Sequence, residues 1–328
     1  MKKMNETKRR ATVVCVLALL CGALLALMRM NVLFGSYDPS VGLYPKCSDT
    51  SAFEIGLIAL SLSLMLGGML FTSRTREYKI VTHPIAGAFA GGLAGFGFLA
   101  LSASIFITDK IRGVSLTRFD SVLVILCLVC AASFWMEAFS REEKLNEDTA
   151  NVLMLFRPIC CLIISFYFYF DSSTVIHDSN KKMATLFFAV VLLSLLYEVK
   201  MRVTKARTSL FVVLNALSVC YGMMYSIPGL VWYFVNGESL MISVFFDVLG
   251  LFLTVWSALR LLSVTSCETE QSTEVSVENA ENSENAENAE NAEDASVGET
   301  ETEAAENADA PEAADAPEEL SEVSENEV

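Results

Sequence analysis

The chain has 328 residues and a formal net charge of −16, but the acid is concentrated: of 39 Asp and Glu, 22 lie in residues 265–328, which hold no Lys or Arg. The remainder carries all 23 basic residues against 17 acidic ones, and 53% of the whole sequence is hydrophobic. This division excludes a single soluble domain and offers no basic surface for nucleic acid; it fits a mildly basic membrane domain with an acidic appendix.

Residues 1–10 form a basic N-terminus with Lys2, Lys3, Lys8, Arg9 and Arg10. Eight apolar segments follow, at 11–30, 51–71, 84–107, 121–140, 151–171, 183–199, 208–235 and 240–263. A hydrocarbon core of roughly 30 Å takes about 20 apolar residues per helix, so the prediction is an all-α polytopic transmembrane bundle of eight helices over residues 11–264. The first segment reads as an uncleaved helix: no small-x-small site follows Leu24–Met30, and Leu19-Leu20 before Cys21 lacks the small residue of a lipidation site. Residues 31–50, with Asp38, Gly42-Leu43-Tyr44 and Pro45, are too few for a catalytic or ligand-binding domain. Cys47 is the one cysteine in an exterior loop, which leaves only an intermolecular bridge there.

The third segment opens on His83-Pro84 and continues IAGAFAGGLAGFG. Gly87, Gly91 and Gly95 recur every four residues and share one face, widened by Ala86, Ala90 and Ala94; such a face lets a neighbouring helix approach closely. Intramolecular packing is the expectation, with an oligomer interface as the alternative. In the fourth and fifth segments Cys127-x-x-Cys130, Cys160 and Cys161 read as core filler, since no second ligand pair accompanies them.

Ionisable groups within spans need a reason, because each costs about 2.5–3.5 kcal/mol at a helix centre on insertion scales. Arg157 enters the fifth span, and Glu137, near the end of the fourth, is placed to pair with it across the short 141–150 loop. Snorkelling to the headgroups is the other use for both. Glu198 ends the sixth span beside Lys200 and Arg202 and reads as interfacial. Asn215 adds a polar group to the seventh span, and Pro228 is expected to kink that span toward its far end. Asp247 is the hardest to dismiss, for its side chain is short and no basic residue of its own span lies near it. These five polar residues are the candidate intramembrane site. Aromatic residues at Phe166–Phe170, Trp232-Tyr233, Trp135 and Trp256 read as headgroup-level anchors.

Residues 265–328 repeat Glu-Asn-Ala in threes from Glu278 to Ala295, without an aromatic and with few apolar residues; the expectation is a disordered acidic tail, with docking to a basic protein partner or cation buffering as alternatives. Lys and Arg flanking the spans, with Arg260 counted inside and Arg29 and Lys181 outside, divide 15 to seven when the N-terminus is cytoplasmic, which predicts both termini inside a cell membrane. The 109–120 loop, with Lys110, Arg112 and Arg118, runs against that bias. His83 and His177 fall on opposite sides, so no shared metal site is expected, and no phosphate-cradling loop or nucleophile elbow is present to imply a cofactor.

Gly42-Leu43-Tyr44, Glu198-Val-Lys-Met-Arg202 and Ser226-Ile-Pro228 give the 11–264 region a layout that resembles uncharacterised eight-helix membrane proteins of anaerobic Gram-positive bacteria. The resemblance implies a bacterial cytoplasmic membrane and no particular activity. Two functions stay open. One is a non-enzymatic assembly or regulatory component; the other is a transporter or lipid-handling protein using Asp247, Asn215 and the Arg157/Glu137 region. An intramembrane enzyme would need a histidine brought to the carboxylates.

Overall fold

The computed structural model describes residues 2–37, 48–72, 78–80, 84–112, 117–139, 147–170, 178–203, 208–240 and 242–266. Eight helices account for nearly all of them: α1 Lys2–Ser36, α2 Ser48–Thr72, α3 Pro84–Arg112, α4 Arg118–Phe139, α5 Glu147–Phe170, α6 Ser179–Val203, α7 Thr208–Asn236 and α8 Val244–Leu262. All eight are long and apolar enough to cross a membrane, so the predicted all-α multi-pass architecture stands. A small ribbon accompanies them. Strand β1, Tyr78–Ile80, pairs antiparallel with β2, Val264–Ser266, tying the α2–α3 connection to the end of α8.

Helix ends differ from the hydropathy boundaries for local reasons. The eighth helix starts at Val244, not at 240, because Gly237 has a positive φ of 73° and Ser243 caps the helix by accepting from the Phe245 N–H at 3.3 Å. The expected 109–120 loop is mostly helix, since α3 runs to Arg112 and α4 begins at Arg118. Asp120 and Thr117 exchange side-chain and backbone bonds at that start, a capping arrangement. Thr265 and Ser266, assigned above to the tail, belong to β2. The rest of the acidic tail, Cys47, His83 and His177 lie outside the described residues.

Each of α3 to α8 packs on its neighbour in sequence, and α3 closes on α8, which makes a ring of six antiparallel helices. Helices α1 and α2 add to it against α7, the most buried of the eight. Close approach explains the contacts that matter. A Cβ on Gly91 would lie 3.0 Å from Ala138 Cβ, and one on Gly95 would lie 2.4 Å from the Trp135 indole nitrogen, so this face receives α4 as the glycine spacing predicts. Gly87 is half-buried. Trp135 is thereby corrected from a headgroup anchor to a packing wedge, its indole N–H donating to Gly92 O at 3.2 Å. The outermost helix, α2, meets α7 through Gly68 against Val213 and through the Tyr221 hydroxyl, 2.7 Å from Ser61 Oγ.

Candidate functional site

Two polar networks lie within the bundle, one near each end. The first forms where α4, α6 and α8 finish and α5 begins. Arg157 of α5 is 1% exposed, and its Nη1 meets Glu137 Oε2 of α4 at 2.5 Å. Its remaining donors go to Ser133 Oγ (2.8 Å) and the Ser133 carbonyl (2.7 Å), so the guanidinium is met on three sides. Arg260 of α8, equally buried, pairs with Glu198 Oε1 of α6 at 2.8 Å and with Glu137 Oε1. Half-exposed Arg202 closes the rim on Glu137 at 2.5 Å. Trp256 stands between the two buried cations, 4.2 Å from Arg260 Cζ and 5.7 Å from Arg157 Cζ, while Phe134 covers Arg157 at 4.1 Å. Three arginines thus share two carboxylates and two aromatic faces, an arrangement that offsets desolvation only because nearly every donor is met.

This geometry bears out the pairing of Glu137 with Arg157 and corrects two other expectations. Glu198 is not interfacial: it is 2% exposed and held by Arg260. Trp256 is not a headgroup anchor but part of the network, 3% exposed. Arg260, counted above as a flanking charge, is a member that the flank count hid.

The second network forms where α1 and α7 finish and α6 and α8 begin. Its centre is Arg29, also 1% exposed and also counted above as a flank. Proline 228 lies inside α7 and has no N–H, so the Met224 carbonyl four residues earlier loses its helical partner. Arg29 supplies the replacement, with Nη1 2.8 Å from Met224 O and 3.0 Å from Tyr225 O. Its Nη2 donates to Asn180 Oδ1 of α6 at 2.8 Å. Asn180 is oriented in turn by Asp178, whose Oδ1 accepts the Asn180 backbone N–H at 2.9 Å. Asp178 precedes the span, and burial pushes its carboxyl above the ordinary value.

Asp247 belongs to this end, on α8, and is 1% exposed. Its carboxylate lies against Gly229 of α7: a Cβ there would fall 2.5 Å from Oδ1 and 2.7 Å from Oδ2. Gly250, one turn further along α8, receives Ser226 Oγ in the same close manner. At about 1.5 Å per residue, Asp247 and Arg260 lie roughly 20 Å apart along α8, so the polar residues singled out in the sequence do not form one site. Asn215 joins neither network; its Nδ2 donates to Phe211 O of its own helix at 2.9 Å.

Two further features lie apart from both networks. Cys127, Cys130, Cys160 and Cys161 meet in the α4–α5 interface, fully buried, with Cys127 and Cys160 sulfurs 3.9 Å apart and the Cys130 thiol donating to Phe156 O. Among the described residues no group of three His, Cys, Asp or Glu is placed to hold a metal ion. A groove of about 730 Å³ runs between α1 and α3 over α7 and α8, lined by Leu19, Phe89, Met223, Leu251 and Val255 among others; neither Asp247 nor Glu137 lines it. Comparison with family models, curated proteins and solved structures found no match.

Proposed function

We propose that the chain is a non-enzymatic, multi-pass component of the cell membrane that assembles with, or regulates, another membrane protein. The observation that supports this most is the internal use of its charges: Arg157, Arg260, Glu137, Glu198 and Arg29 are spent on one another or on backbone and amide groups of the bundle. A substrate path needs polar groups left over for the substrate. Orientation with both termini cytoplasmic is part of the proposal. Taking buried Arg260, Arg29 and Lys181 out of the flank count leaves the Lys/Arg bias on the N-terminal side.

The acidic tail is the proposed docking segment for a basic partner. Purification in mild detergent of the full chain and of a chain ending at Cys267, each followed by native mass spectrometry, tests both parts. The expected result is a protein partner retained by the full chain and lost from the shorter one. The transport or lipid-handling reading has one observation in its favour, the absence of an ion pair at Asp247 among the described residues. A lipid or solute retained by both forms and lost in Asp247→Asn would replace the first reading with the second.

A further inference from the structure

We propose that Asp247 is a proton-binding site whose carboxyl group keeps its proton while α7 and α8 are packed together. The geometry gives the charged form little support: among the described residues no cation pairs with it, and one neighbouring hydroxyl, that of Tyr225, stands next to it. Asp247 Oδ2 is buried and completes no hydrogen bond of ordinary geometry, and the same holds for the Tyr225 hydroxyl and Ser226 Oγ on the facing helix. A Cβ at Gly229 would fall 2.5 Å from Oδ1 and 2.7 Å from Oδ2, so no side chain fits at position 229 beside the carboxyl group.

The groups around Asp247 come from every neighbouring element. Helix α7 presents Tyr225, whose hydroxyl is the hydrogen-bonding group next to the carboxylate. Helix α1 presents Arg29, whose guanidinium is turned to Met224 O, Tyr225 O and Asn180 Oδ1 and lies 6.0 Å from the Tyr225 ring centroid. Among the described residues no ion pair joins Arg29 to Asp247. Helix α6 contributes Lys181, and Asp178, just ahead of that helix, lies within reach of the charges of Lys181 and Arg29. From α5, the Tyr167 and Phe168 rings stack on Phe246, and α3 meets α8 through Gly97 against Leu249 and Phe252.

A carboxylate so placed is neutralised more cheaply than it is solvated. The amino end of α8 favours the charged form only modestly, and Arg29 acts at a distance, with Nη1 and Nη2 engaged by Met224 O, Tyr225 O and Asn180 Oδ1. One proton taken from water onto Oδ2 turns that atom into a donor. The Tyr225 oxygen can then accept from it, whereas the ionised carboxylate can only accept from the Tyr225 hydroxyl.

Infrared spectroscopy of the full chain in lipid vesicles at pH 7 tests the proposal. The wild type is expected to show a protonated-carboxyl C=O stretch that is absent from Asp247→Asn and shifted in Tyr225→Phe. Loss of a carboxylate stretch in Asp247→Asn, or a carboxyl band that appears only when sodium is removed, overturns it. Thermal unfolding gives a second measure. The amide is close in shape to the acid, so Asp247→Asn should melt with the wild type. A large drop, or a failure to fold, means the carboxylate is ionised and needed by Arg29, and overturns the proposal as well.

Discussion

At the Glu137 end of the bundle, three arginines meet two glutamates across an aromatic wedge. At the Arg29 end, one arginine meets two carbonyls and an amide, while the Asp247 carboxyl group joins no ion pair among the described residues. Both ends bury a guanidinium to 1% exposure, and they compensate it differently. The first uses opposite charge, which depends on every partner being present. The second uses backbone and amide dipoles, among them the Met224 carbonyl that Pro228 leaves without a helical partner. Charge pairing makes the first end a lock among four helices; dipole pairing makes the second a brace on the α7 backbone at Pro228.

The comparison breaks most visibly at Arg260. Arg260→Met leaves Glu198 with only the longer Arg202 contact at 3.8 Å and takes one of three arginines from Glu137, with an expected cost of about 3–5 kcal/mol in detergent-titration unfolding. Adding Glu198→Gln should restore a large part of it. Arg29→Met should cost less, about 2–3 kcal/mol, because the groups it strands are neutral. Arg29→Lys should recover only part of that, since an ammonium lacks the planar fork that reaches two carbonyls and an amide together. Gly91→Leu tests the packing between the ends and should cost about 1–3 kcal/mol by overpacking against Ala138 and the Phe134 carbonyl; a normal yield and melting temperature would refute it. Smallest is Asp178→Ala, at about 1 kcal/mol for a lost helix cap.

Asp178 also carries a pH signature. Its folded value is raised by burial, so its contribution is full at low pH and falls away as pH rises through that value. Asp178→Asn keeps the cap. It should match the wild type in acid and exceed it at neutral pH when unfolding is followed against pH.

Hydropathy and spacing revealed the eight helices, the Glu137–Arg157 pair and the glycine face for α4, because each depends on residues close in sequence or on one helix. Arg29, Arg260 and Glu198 were hidden for a shared reason. A charge in the last turns of an apolar segment looks the same whether it points to headgroups or into the bundle, and only the neighbouring helix decides. Arg29 did leave one trace: Pro228 frees a carbonyl that needs a donor, and the sequence shows the vacancy without naming what fills it. Closure of the ring through α3 and α8 left no trace of that kind.

The separations within the two networks set a timetable for their making. Synthesis runs from the amino terminus, so Arg157 follows Glu137 by 20 residues, and the pair can close within one hairpin as it leaves the insertion machinery. Arg29 enters 151 residues ahead of Asn180 and 195 ahead of Met224. Until they arrive, its long side chain can wait at the headgroups. The carbonyl that Pro228 frees is therefore met only after the seventh helix is in place, and a chain stalled before that point exposes an unanchored arginine in its first helix to whatever surveys the membrane for unfinished proteins.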